Sequence, residues 1–160
     1  MSYFQMLSVL AVNAFIVLLS VLIHYEFLYR STKLLPLLKI RHRMRVLAVV
    51  IIAFIAHVIE IWLYGLAFYF MHNSPNWGTL QGNYDGSLLD SVYFSFTSFS
   101  TLGFGDISPI GDIRFLVVLE GLAGFVLITW SASFLFFEMQ KIGVLKTSYL
   151  INLNNLLVDP

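Results

Sequence analysis

Glycines alternate with apolar residues in the segment 100–106 (STLGFGD). Glycine adopts backbone conformations closed to other residues, so successive carbonyl groups of such a segment can point in one direction. A row of convergent carbonyls can replace the water shell of a dehydrated cation. At membrane depth, non-helical backbone is tolerated only inside protein or beside a water-filled path. The segment therefore predicts a place where cations are bound by backbone oxygens.

Ionisable and amide side chains within apolar stretches form a second candidate site, since a charge at membrane depth is costly. His57 and Glu60 lie one turn apart on one helix face, and Glu120 and Asn13 fall at a similar depth in other stretches. We predict a buried polar cluster of these four residues. Because a His beside a carboxylate can change charge near neutral pH, the cluster is either a proton-sensitive brace or a set of interhelical hydrogen bonds.

The pair His57 and Glu60 also suits metal binding, since a His and a carboxylate three residues apart occur in di-metal sites of helical bundles. A metal needs three or four convergent ligands. Further ligands would have to come from other depths, because His24 and Glu26 are expected near the cytoplasmic interface beside Arg30. A membrane metal-binding enzyme or carrier that uses His57 and Glu60 is therefore the rival hypothesis.

The composition places these residues in a membrane protein. Of 160 residues, 59% are hydrophobic and 11% are charged, whereas an ordinary soluble domain carries about 25% charged residues. Nine Lys and Arg balance nine Asp and Glu, which gives no basic surplus for nucleic-acid binding. The lack of cysteine excludes disulfides, thiolate metal sites and cysteine nucleophiles.

A helix that crosses the hydrocarbon layer needs about 20 apolar residues. Three stretches meet this requirement, namely residues 4–28, 46–71 and 113–137. Residues 88–99 are apolar but too few to cross, which suits a re-entrant or buried helix. Gly86 and Ser87 are its candidate N-cap residues, and Asp90 lies in its first turn. The predicted fold class is an all-α membrane protein with three transmembrane helices, a re-entrant helix and the glycine-rich loop.

The basic residues give the orientation. Arg30, Lys33, Lys39, Arg41, Arg43 and Arg45 lie between the first two spans, whereas residues 72–87 contain no Lys or Arg. By the positive-inside rule the basic segment is cytoplasmic, so the N-terminus and residues 72–87 lie outside and the C-terminus lies in the cytoplasm. The composition of residues 72–87 predicts turns with little regular structure.

The run TLGFG (residues 101–105) resembles the potassium-channel selectivity filter, whose usual form is Thr-Val-Gly-Tyr-Gly, and Asp106 matches the acidic residue that commonly follows it. The wider run YFSFTSFSTLGFGD is similar to small bacterial members of the family of ion channels with two helices and one pore loop. The resemblance covers residues 88–140 and, less specifically, residues 46–71.

The resemblance implies the following organisation. Residues 1–45 form an N-terminal helix and a basic cytoplasmic loop, residues 46–140 the pore domain, and residues 141–160 a short cytoplasmic tail. The pore domain divides into an outer helix (46–71), an outer loop (72–87), a pore helix (88–99), a filter (100–106) and an inner helix (113–138). The protein would reside in the cell membrane, in a bacterium the inner membrane.

The resemblance also implies a function without chemistry, so the chain is not expected to be an enzyme. Carbonyls of Thr101, Leu102, Gly103 and Phe104, with the Thr101 hydroxyl, would bind K⁺, and Gly103 and Gly105 match the two filter glycines. One loop per chain implies a homotetramer. The implied partners are other copies of the chain and membrane lipids, with no cofactor, soluble ligand or nucleic acid.

Two departures bear on selectivity, since Leu102 replaces the usual Val and Phe104 the usual Tyr. A weakly selective cation channel is therefore the alternative to a potassium-selective one. Asp106 would concentrate cations at the outer mouth.

The inner helix carries the remaining candidates. Gly124 lies close to the position of the glycine hinge of related channels, and Gly121 is a second candidate. Ile128, Ala132 and Phe136 follow a spacing of four residues, which predicts a stripe that lines the pore, with Phe136 as a hydrophobic gate.

Overall fold

The computed structural model describes residues 3–34 and 42–158, and it describes side chains within residues 3–140 except those of residues 4, 42 and 43. Lys39 and Arg41 of the predicted cytoplasmic loop therefore lie outside the described residues. The elements are helices α1 (Tyr3–Leu34), α2 (His42–His72), α3 (Leu88–Phe99) and α4 (Ile113–Val158), and strands β1 (Thr79–Gly82) and β2 (Ile107–Ile110).

Three of these helices are long and apolar enough to cross a membrane, over Gln5–Leu34, Met44–His72 and Ile113–Gln140. This confirms the predicted fold class. Helix α1 continues beyond the predicted end at residue 28 because its polar side chains pair along the helix. Arg30 Nε donates to Glu26 Oε1 over 2.6 Å, and Lys33 Nζ lies 4.2 Å from the centre of the Tyr29 ring.

Helix α3 covers the residues predicted for the short helix. Its N-cap is Ser87, whose Oγ accepts the backbone N–H of Asp90 over 3.1 Å. The apolar face packs on α2, where the rings of Phe68 and Phe94 meet edge to face at 5.2 Å. The loop that follows α3 is therefore attached to a helix that packs on the membrane-spanning helix α2.

Within the outer loop, which is predicted to form turns with little regular structure, the structure has one short strand, β1 (Thr79–Gly82). Strand β1 pairs antiparallel with β2, with Leu80 opposite Pro109 and Gly82 opposite Ile107. The partner strand lies beyond α3 and the glycine-rich loop, so no local pattern in residues 72–87 indicates it. The two strands join the segments before α3 and after the loop.

Helix α4 is longer than the predicted inner helix and runs through the predicted tail to Val158. The tail contains no proline before Pro160, so nothing in its backbone chemistry interrupts the helix. Where side chains are described, α4 packs on α1, α2 and α3, and Ile113, Leu116 and Leu127 are fully buried there.

The start of α1 lies at the same end of the bundle as β1 and β2. Gln5 Nε2 donates to the carbonyl of Asn76 over 3.2 Å and to Asp112 Oδ2 over 3.3 Å. The N-terminal end of α1 and the outer loop therefore lie on one side of the membrane, as the charge distribution predicts.

Candidate functional site

The glycine-rich loop alternates between two backbone conformations. Thr101, Gly103 and Gly105 have φ values of 60°, 54° and 78°, whereas the intervening Leu102 and Phe104 do not have positive φ. Left-handed φ is costly for Thr101 and free for glycine. Because glycine takes conformations closed to other residues, successive carbonyls of this loop can point in one direction.

Hydrogen bonds hold the loop at both ends. At its start, the N–H of Thr101 donates to the carbonyl of Ser98 over 3.0 Å, and the N–H of Gly103 to that of Thr97 over 3.1 Å. At its end, the carbonyl of Asp106 accepts the N–H of Asn83 over 2.8 Å. The loop is therefore suspended between the C-terminus of α3 and the start of β2.

The side chains of the loop are exposed in the single chain. Leu102 and Phe104 are 63% and 65% exposed, and a Cβ added to Gly103 or Gly105 would meet no atom within 4 Å in the described part of the chain. Unpaired backbone groups are costly against lipid, and apolar side chains that face water mark an interaction surface. One face of the loop is therefore uncovered in the single chain.

A tyrosine braces the outer end of the loop. Tyr93, on α3, donates its hydroxyl to Asp106 Oδ2 over 2.9 Å. This hydrogen bond to the carboxylate raises the pKa of Tyr93 above its ordinary value. The phenol therefore keeps its proton, and with it the bond, across the usual pH range.

We expect Tyr93→Phe to loosen this end of the loop, because the variant removes the hydrogen bond from the Tyr93 hydroxyl to Asp106. Faster loss of ion flux during sustained conduction would show this in liposomes or planar bilayers. The matched control is Tyr25→Phe, which changes an exposed tyrosine on α1. Equal flux decay in both variants would contradict the brace.

Helix α4 crosses directly behind the C-terminus of α3. A Cβ on Gly124 would lie 2.1 Å from the backbone carbonyl oxygen of Phe99, whereas one on Gly121 would lie 3.6 Å from that of Ser98. Gly124 is therefore required by the close approach of two backbones. Helix α4 runs unbroken through it, and the hinge role of Gly124 and Gly121 stays a prediction.

A closed ring of polar side chains lies between three of the long helices. His24 Nδ1 is 3.0 Å from Glu60 Oε1, and His57 Nδ1 is 3.0 Å from Glu60 Oε2. Ser131 Oγ closes the ring at 3.3 Å from His24 Nε2 and 3.2 Å from His57 Nε2. We call these four residues the His–Glu ring. It joins α1, α2 and α4, and His24 and Glu60 are fully buried.

The Ser131 hydroxyl can form hydrogen bonds with both imidazoles of the His–Glu ring in two ways. Ser131 has one hydroxyl proton, so it can donate to only one of the two Nε2 atoms. Alternatively, Ser131 Oγ can accept from both Nε2–H groups, because a hydroxyl oxygen has two lone pairs. The two imidazole rings stack at 5.1 Å, so the ring is compact.

The structure corrects the expectation for His24, which lies inside the bundle and not at the cytoplasmic interface. On the buried face of α1, Asn13, Ser20, His24 and Ser31 form a stripe along the helix. Their separations of 7, 11 and 18 residues place them on one face of a helix. This periodicity is the sequence signal that could have placed His24 on the buried face. Of the two residues expected near Arg30, Glu26 forms the ion pair with it.

The predicted polar cluster is divided in the structure. His57 and Glu60 meet in the His–Glu ring, but Glu120 lies apart and hydrogen-bonds Ser95 of α3. Asn13 is buried, and neither atom of its amide has a partner within the described part of the chain. Sequence reasoning missed Ser95 and Ser131, because a single serine in an apolar helix carries no sequence signal of its partner.

Glu120 fits its surroundings as a neutral acid. Ser95 Oγ contacts both Glu120 Oε1 and the carbonyl of Ile61, the latter at 2.8 Å, but a hydroxyl has one proton to donate. Both contacts form when Ser95 donates to Ile61 and Glu120 donates to Ser95. The carboxyl of Glu120 is fully buried between α3 and α4.

We therefore expect Glu120→Gln to be as stable as the natural chain, because the Gln amide can donate to Ser95 as the acid does. Glu120→Leu leaves Ser95 without that donor and should lower thermal stability by about 1–3 kcal/mol. Thermal unfolding in detergent measures both variants. A Gln variant as unstable as the Leu variant would show that Glu120 acts as a charge.

The predicted pore stripe lies on the exposed part of α4. Ile128 is 41% and Phe136 63% exposed in the single chain, and Ala132 is exposed as well. Ser131 of the His–Glu ring is buried on the side that faces α1 and α2. The gate role of Phe136 stays a prediction.

Comparison with known proteins gives one match. The model of a family described as "Ion channel" matches residues 44–141, more than half of the chain. The matched region begins near the start of α2 and includes α3, the glycine-rich loop and the membrane-spanning part of α4. No curated protein and no solved structure matches the chain.

Proposed function

We propose, because the chain belongs to this ion-channel family, that four copies of it form a channel that conducts potassium through the backbone carbonyls of residues 101–105. The family makes the chain a multi-pass membrane channel and not a metal-dependent enzyme. The observation that carries the finer proposal is the alternation of φ at Thr101, Gly103 and Gly105 in a loop held at both ends.

The proposed tetramer is supported by the incomplete ion coordination and the exposed apolar surface of a single chain. A single loop supplies carbonyls on one side of an ion, and four loops are needed to surround it. The exposed Leu102 and Phe104 and the exposed face of α4 give apolar surface for contacts between copies. Such contacts would also shield the loop backbone from lipid, which cannot hydrogen-bond it.

Potassium selectivity is supported by the bracing of the loop. Its start is bonded to α3 at Thr97 and Ser98, and its end to Asn83 and Tyr93 through Asp106. These bonds hold the row of carbonyls although Phe104 lacks the hydroxyl of the usual tyrosine. A loose loop would favour the weakly selective alternative, because it could adapt to either cation.

The orientation follows from the positive-inside rule, with the loop, β1 and β2 outside and the basic segment between α1 and α2 in the cytoplasm. In this orientation Asp106 is at the outer mouth and would be repeated four times. We place the protein in the cell membrane, which in a bacterium is the inner membrane. There it would be in contact with the surrounding lipids.

The test is flux of K⁺ and Na⁺ into liposomes that contain the purified protein. We expect K⁺ flux that Ba²⁺ blocks, with much slower Na⁺ flux. The control is Gly103→Asp, whose side chain would disrupt the carbonyl row and whose tetramer is checked by cross-linking. Equal K⁺ and Na⁺ flux would overturn the selectivity, and equal flux through an assembled control variant would overturn the proposed path.

Phe136 provides a prediction about the gate. If four copies of Phe136 form an apolar constriction that excludes water, Phe136→Ala should raise K⁺ flux about tenfold or more, since hydrophobic constrictions gate by dewetting. The matched control is Phe137→Ala, one position along the same helix. Unchanged flux in Phe136→Ala would remove this residue as the gate.

A further inference from the structure

The His–Glu ring has a donor set that the channel function does not use. Two imidazoles and one carboxylate converge from α1 and α2, and their nearest ligand atoms all lie within 4.8 Å of one another. We propose that His24, His57 and Glu60 bind one zinc-like transition-metal ion per chain. This proposal is independent of the ion that passes through the pore.

The distances suit a metal. Zinc bonds to histidine nitrogen and carboxylate oxygen are about 2.0–2.2 Å long, so two ligand atoms of one ion lie at most about 4.4 Å apart. Each Nδ1 atom is already 3.0 Å from an oxygen of Glu60. Two ligands of a tetrahedral zinc lie about 3.4 Å apart, so the widest separation in the group, up to 4.8 Å, must shorten by up to roughly 1.4 Å.

The donor types select the class of metal. Imidazole and carboxylate ligands favour Zn²⁺, Fe²⁺, Ni²⁺ or Cu²⁺ over Ca²⁺ and Mg²⁺, which prefer oxygen alone. Three protein ligands leave a fourth position of a tetrahedral site open.

Ser131 supplies the support that such a site requires. Metal-bound histidines almost always donate their second ring N–H to an acceptor, which fixes the tautomer and the ring. With Nδ1 of His24 and His57 on the metal, each Nε2–H points to Ser131 Oγ, 3.3 and 3.2 Å away. A hydroxyl oxygen has two lone pairs and can accept both bonds.

The site is partly exposed in the single chain and connects three helices. The side chain of His57 is 16% exposed, whereas those of His24 and Glu60 are fully buried. An ion held there would tie α1 and α2 to α4 at Ser131, between Ile128 and Ala132 of the predicted pore stripe. Bound metal would thus fix the helix that lines the pore.

The experiment measures metal on the whole channel purified without a polyhistidine tag. After stripping with a chelator, the protein is titrated with ZnCl₂, and bound zinc is counted after dialysis. We expect one zinc per chain in the natural protein. His24→Gln and His57→Gln should lose binding at least a hundredfold in affinity, and Ser131→Ala about 10–100-fold, as for loss of a supporting partner.

The matched control is His72→Gln, which changes a histidine of α2 outside the site and should keep one zinc per chain. Each variant is first checked for tetramer elution, so that loss of zinc is not loss of fold. A natural protein that retains no zinc would overturn the proposal. So would a His24→Gln variant that binds zinc as tightly as the natural protein. Neither result depends on whether K⁺ flows.

Discussion

Gly124→Ala should abolish assembly of the conducting channel. The added Cβ would lie 2.1 Å from the backbone carbonyl oxygen of Phe99, far inside van der Waals contact, and both groups belong to helix backbone. Helix α4 must therefore move away from the C-terminus of α3, which carries the glycine-rich loop. Overpacking of this kind costs about 1–3 kcal/mol or more, and the displaced α3 would also misplace the loop.

Tetramer yield in mild detergent and K⁺ flux in liposomes measure the effect. Gly121→Ala is the matched control, since its Cβ would make an ordinary contact of 3.6 Å with the carbonyl oxygen of Ser98. We expect this control to assemble and conduct. Normal assembly and conduction of Gly124→Ala would show that the backbones of α3 and α4 do not approach each other this closely.

Glu60→Leu should be the most destabilising single change in the His–Glu ring. The variant leaves the Nδ1 atoms of His24 and His57 without their shared acceptor in a buried place. A buried hydrogen-bonding group left without its partner costs about 1–3 kcal/mol, and this variant leaves two such groups. Glu60→Gln should lose less, because its amide oxygen can still accept from one imidazole.

Thermal unfolding is measured in a chelator, so that bound metal does not contribute. Glu26→Gln is the matched control, since Glu26 makes an exposed ion pair with Arg30, and such pairs contribute about 0–1 kcal/mol. A Glu60→Leu variant that unfolds at the same temperature as this control would show that the ring does not hold the helices together.

Local sequence patterns predict those elements of this protein that depend only on residues close together in the sequence. Long apolar runs specify three helices because lipid satisfies only side chains, and the backbone must bond to itself. Ser87 and Asp90 start α3 where the sequence predicts, since an N-cap needs residues three positions apart. The glycines at 103 and 105 likewise mark a loop that takes left-handed φ, a property of the residue itself.

Contacts between distant segments required the tertiary structure. Strand β1 has its partner β2 on the far side of α3 and the loop, so its own residues resemble a turn region. The antiparallel course of α1 and α2 brings His24 level with Glu60, 36 residues later, and not to the interface. Ser131 meets both imidazoles only because α4 packs on the same two helices.

The sequence by itself thus determined the membrane class, the number of spans, the short helix and the residues of the loop, because each depends on composition or short spacing. Only the tertiary structure decided which polar residues meet. A helix has several faces, and the face turned to a neighbour is set by packing among all helices. Hence Glu120 pairs with Ser95, while His57 and Glu60 join His24 and Ser131.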